Sequence, residues 1–223
     1  MKHIDRFHIG DQAISDWEIG LCEMIEEKFG HGWKAYFVTL QFAPLPGSMK
    51  VKNEIMNREV DRVAKFLMTR LYRNPKNVPD KLQPIWYVFS DFPVHKRDKV
   101  SLRDVTINDG LHKHAIVLIP VLGARTNLQL DDHFENCQHQ YVFKDQDTPL
   151  TKIHAVHINE TRADVNRVVS YALKAIKRGL AELDDIYVPT WEYRRRRDPD
   201  SPYPGPDAPR QYGARRPQER RSW

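Results

Sequence analysis

Residues 49 to 72 carry apolar side chains at 51, 55, 56, 60, 63, 66, 67 and 71, a helical spacing held over about six turns. Such a helix has one apolar stripe and needs a surface to bury it against. The runs on either side, KAYFVTLQF and IWYVFSDF, are β-branched and aromatic and bounded by turn residues, so residues 35–42 and 85–92 read as strands. A long amphipathic helix between two strands commits the chain to a mixed architecture with a sheet at its centre.

The remaining segments fit that frame. ISDWEIGLCEMIEEKF, residues 14–29, has helical periodicity with Ser15 and Asp16 available as caps and Gly30 as a stop. Asn108-Asp109-Gly110 is a tight-turn signal that returns the chain antiparallel into GLHKHAIVLIP, where residues 112–119 form a strand stopped by Pro120. Residues 122–150 are polar and irregular, with QLDDHFENCQHQYVF a short helix followed by a strand. TKIHAVHI, residues 151–158, reads as a strand, and a helix follows from about Thr161 to Arg178, ending near Gly179. The expected fold class is α+β, a central antiparallel sheet with helices packed on one face.

Composition narrows the setting. Hydrophobic residues make up 40% of the chain, enough for a core, yet no apolar run approaches the roughly 20 residues of a membrane span. The start MKHIDRFHIGDQ lacks the apolar segment of a secretory signal, so the expectation is a cytoplasmic protein with no membrane partner. Cys22 and Cys137 are far apart and form no CxxC pair, which argues against a disulfide framework and a thiolate zinc site. The net charge is +5, but residues 188–223 hold nine arginines against five acidic residues, which leaves the body near neutral. That segment, with seven prolines from Pro189 onward, reads as a basic tail that cannot fold alone. Its Arg194, Arg195, Arg196 and Arg197 are either a solvated run or a phosphate-binding arm.

Two features carry chemistry. His112 and His114 are two residues apart on a strand, so their imidazoles project from one face. Alone, such histidines are better explained as polar residues at a half-buried boundary. On the later helix, Val165, Val168, Val169, Ala172 and Ile176 gather as the buried stripe, Arg167, Lys174 and Arg178 gather opposite, and Tyr171 lies between, with Lys174 at i+3. A tyrosine can attack a phosphodiester if a cation polarises the phosphate and a nearby ammonium steadies the phenolate. His154 and His157 lie on opposite faces of their strand, so at most one could join a shared site.

YFVTLQF, GLHKHAIVLIP and VVSYALKAIKRG, in that order, resemble the three motifs of the HUH endonucleases, specifically the single-tyrosine replication-initiator branch. The resemblance covers residues 35–178. It implies a nuclease domain over residues 1–187 of ferredoxin-like or RRM-like topology, with the helix 14–29 as an appendage. It also implies metal ligands at His112 and His114, a nucleophile at Tyr171 and a helper at Lys174, with Thr39, Leu40 and Gln41 mainly structural. The family adds a third ligand, often acidic. Asp104 shares a face with His114 if residues 108–110 form a three-residue loop, and Asp91 at the end of the earlier strand is its rival.

The implied activity is nicking and joining of single-stranded DNA, dependent on Mg²⁺ or Mn²⁺, through a phosphotyrosine intermediate. The implied setting is rolling-circle replication of a plasmid or phage from a single-stranded or hairpin origin. Arg167, Lys177, Arg178 and the tail arginines would contact DNA. No GxxxxGK[ST] motif is present, so a helicase would be a separate protein. An HUH transposase, a mobilisation relaxase, or a non-catalytic DNA-binding regulator are the alternatives.

Overall fold

In a computed structural model, residues 6–91, 111–121, 128–142 and 148–189 are described, with side chains from residue 12 onward. These residues belong to one compact unit, Met1–Trp191. Asp104 and the arginines 194–197 lie outside the described residues.

The chain runs α1 (Arg6–Gly30), β1 (Trp33–Phe42), α2 (Met49–Leu71), β2 (Ile85–Asp91), β3 (His112–Pro120), α3 (Leu130–Cys137), β4 (Leu150–Ile158), α4 (Arg162–Ala172) and a single further turn, α5 (Lys174–Lys177). The strands form one sheet in the order β2-β3-β1-β4, every neighbouring pair antiparallel. From β1 to β4 this is the β-α-β-β-α-β order of a split βαβ fold. No helix among the described residues is long and apolar enough to cross a membrane.

Alternation along the strands assigns two apolar layers. Tyr36, Val38, Leu40 and Phe42 of β1, with Val117 and Ile119 of β3, pack beneath α2 through Met56, Val60, Val63 and Leu67. Leu130 and Phe134 of α3 join the same layer. Ser48 caps α2 by accepting from the Val51 amide at 3.5 Å. On the other face Ala35, Phe89, Ile116 and Leu118 meet Leu21, Cys22 and Ile25 of α1 and Val165, Val169 and Ile176 of α4 and α5.

The expectation of helices on one face is therefore corrected. One face carries α2 and α3, while α1, α4 and α5 cover the opposite one. The run Ala115–Ile119 is buried throughout, as a strand covered on both sides must be. For the same reason α1 is not an appendage. It also begins at Arg6, so Ser15 and Asp16 lie inside it and cap nothing. The strand expected after the short helix is absent among the described residues, where α3 passes into a 3₁₀ turn.

The expected helix from Thr161 to Arg178 is interrupted. Thr161 caps its start, its side chain accepting from the Asp164 amide at 3.3 Å. At Leu173 the backbone leaves helical geometry (φ −80°, ψ 2°), and α5 resumes for one turn before Gly179, whose φ of +66° favours glycine. Val168, expected in the buried stripe, is only half-buried.

Candidate metal centre and tyrosine

Strand register brings the site together. Asp91, the last residue of β2, lies directly opposite His112, the first of β3, and His114 lies opposite Phe89 on one side and Thr39 on the other. Residues 89 and 91 of β2, 112 and 114 of β3, and 37 and 39 of β1 share the face covered by α1 and α4.

His112 Nε2 is 2.8 Å and His114 Nε2 3.1 Å from Asp91 Oδ2, and the two imidazole nitrogens are 3.1 Å apart. Asp91 and His114 are buried; His112 is partly exposed. Two imidazoles and a carboxylate with ligand atoms this close form a group that could hold a metal ion. The donors fit one: cis ligands about 2.1 Å from a shared ion are themselves about 3 Å apart, and histidine with carboxylate is a common ligand set for divalent ions. Asp91 Oδ1 is buried with no hydrogen-bond partner among the described residues, an acceptor a cation would satisfy.

Thr39 supplies the support behind His114. Its Oγ1 is 3.1 Å from His114 Nδ1. An ion held at Nε2 would select the Nδ1–H tautomer, which would donate to the Thr39 hydroxyl and fix the ring. Thr39 was expected to be mainly structural; only the register across β1 and β3 reveals this contact.

Lys174 links the carboxylate to the tyrosine. Its Nζ is 2.7 Å from Asp91 Oδ2 and donates to the Tyr171 hydroxyl at 3.0 Å. Tyr171 is half-exposed, its ring 5.3 Å from that of His114 and 5.7 Å from that of Phe37. A half-exposed tyrosine beside an ammonium and a cluster of metal-type donors has the kind of surroundings that a nucleophilic hydroxyl requires.

The electrostatics follow from these contacts. Burial raises the Asp91 pKa, but hydrogen bonds from His112, His114 and Lys174 outweigh it and hold the carboxyl well below the usual range. Burial lowers the His114 pKa and keeps the imidazole neutral, the form that ligates. For Lys174 burial opposes the charge, while Asp91 and Tyr171 favour it, and the pKa is raised. Lys174 is thus held in its charged form, as an ammonium beside the carboxylate and the phenol.

The other predicted residues divide. Arg167 borders Tyr171 and donates to Asp164 at 2.6 Å. Lys177 is tied to Glu18 and Ser170, each at 2.8 Å, and so is not displayed as a free cation. Arg178 is exposed beyond α5. Of the two possible third ligands, Asp91 is brought to the histidines. His154 is exposed on β4, opposite Thr39 and on the His114 face, whereas His157 packs against Tyr36 on the other face.

The chain matches no family model, no curated protein and no solved structure.

Proposed function

We propose that this protein nicks and rejoins single-stranded DNA through a covalent link to Tyr171, as its resemblance to single-tyrosine HUH endonucleases implies. The observation that carries the reading is Lys174 bridging Asp91 and Tyr171, because it joins the candidate nucleophile to the candidate metal group. His112, His114 and Asp91 would hold Mg²⁺ or Mn²⁺, which when bound withdraws charge from a phosphate. Thr39 orients His114, and Lys174 stabilises the Tyr171 phenolate as its proton passes to solvent. The Tyr171 Oη–P bond forms as the P–O3′ bond breaks, and the released 3′ oxygen takes a proton from water. The products are a free 3′-hydroxyl and a 5′-phosphotyrosyl end, and attack by another 3′-hydroxyl reverses the step. Initiation of rolling-circle replication of a plasmid or phage, with a separate helicase, follows from the resemblance alone; a transposase or relaxase would use the same step.

The test is incubation of the protein with single-stranded oligonucleotides from candidate origins and Mn²⁺. A protein–DNA adduct stable to denaturant and abolished by chelation supports the reading. Binding without an adduct on any sequence favours a non-catalytic DNA-binding regulator.

A further inference from the structure

A cleft of about 240 Å³ opens beside the tyrosine, lined by Phe37, Arg167, Val168 and Tyr171. Its volume lies below the roughly 300 Å³ at which pockets for drug-sized ligands begin, so it suits one planar ring system and not a whole nucleotide. Its walls are mainly apolar. Phe37 rises from β1 with its ring 4.8 Å from that of His114, tilted by 31°, and 5.7 Å from Tyr171, nearly perpendicular. Val156, directly opposite Phe37 on β4 and on the same face, is 49% exposed, so among the described residues the helical cover stops short of it. The apolar floor thus continues from the cleft onto the edge of the sheet.

Charge marks the rim. The Arg167 side chain is 75% exposed and anchored at one nitrogen by Asp164 at 2.6 Å, which among the described residues leaves its other donors and its flat guanidinium face available. Aromatic and aliphatic walls beneath an arginine match an uncharged, planar, acceptor-bearing ring beside a phosphate. A nucleobase is such a ring, and stacking of this kind is how proteins grip unpaired bases.

We propose that this cleft holds the base of a nucleotide flanking the scissile phosphate, with Phe37 and Val168 as the stacking walls and Arg167 as the clamp. The inference rests on the reading of Tyr171 as the DNA nucleophile. It makes Phe37 and Arg167 specificity-determining residues: the position of the cut depends on a base being seated there.

The experiment is a scan of single abasic positions along an oligonucleotide, read separately by fluorescence anisotropy and by adduct formation, for wild type, Phe37→Leu and Arg167→Gln. Arg167 is on the surface, so its variant tests the cleft even if Phe37→Leu disturbs folding. For wild type, one abasic position within a nucleotide of the nick is expected to weaken binding about five- to a hundredfold. In either variant the penalty at that position should shrink towards none, while penalties elsewhere persist. A flat scan, a penalty equal in wild type and both variants, or no binding of single-stranded DNA overturns the cleft. Adducts with a flat scan leave the proposed function standing without it. A base-dependent scan with no adduct removes the nicking activity and with it the assignment of the seated base to a scissile phosphate.

Discussion

The ammonium of Lys174 lies 2.7 Å from Asp91 Oδ2, joining the turn that follows α4 to the last residue of β2. The same nitrogen donates to Tyr171, so loss of Lys174 should affect the tyrosine more than the DNA surface. Lys174→Met is predicted to slow adduct formation about a hundredfold while single-stranded DNA binding persists. Adduct formation at the wild-type rate would show that the phenolate needs no help from this ammonium.

Thr39 stands behind His114 and nowhere else in the proposed chemistry. Thr39→Val keeps the shape of the side chain and removes the acceptor for Nδ1–H. Mn²⁺ affinity, read by calorimetry, should fall about 10- to 100-fold. An unchanged affinity would mean that the ring is held by its aromatic neighbours, Phe37 and Tyr171 among them, without the hydroxyl.

Lys113 lies between the two histidines but points into the opposite layer, 1% exposed, and donates to Ser90 at 2.8 Å. Burial pushes its pKa down to about 8. One hydroxyl and a weaker attraction to Asp185 do not offset the desolvation of the ammonium, so Lys113→Met is predicted to raise stability at pH 7 by roughly 1–3 kcal/mol in urea unfolding. A loss of stability would show that the charge is better compensated than this contact implies.

A pH effect should arise away from the site. His133 is buried on α3 with Nε2 2.7 Å from the Tyr141 hydroxyl, and burial followed by the nearby Arg70 lowers its pKa. The unfolded chain then takes up a proton near pH 6.5 that the folded chain resists. Stability contributed by the neutral ring is therefore present above that pH and lost as pH falls below it. His133→Gln should flatten that part of the urea-unfolding profile between pH 7 and 5; an identical slope in the variant would contradict the assignment.

Much of this arrangement was legible in the sequence, for physical reasons that also mark where it stopped. The spacing over residues 49–72 and the alternation at His112 and His114 are local properties, and both appear as read. Tyr171 and Lys174 meet despite the interruption at Leu173, which no glycine or proline announces, because three residues still make about one turn. Asp91 could not be chosen over Asp104 because strand register depends on the length of the connection, and the turn signal at 108–110 does not give it. The unbroken apolar run Ala115–Ile119, with no polar alternation, was the available sign that helices cover both faces. Thr39 carried no signal, since its partner is seventy-five positions away.

The central claim is that Tyr171 forms the bond to DNA. Its most direct test is to digest the denatured adduct with protease and locate the nucleotide-bearing residue by mass spectrometry, alongside Tyr171→Phe. The predicted result is a phosphodiester to Tyr171 in the wild type and no adduct in the variant. An adduct that survives Tyr171→Phe, or that maps to another residue, would contradict it.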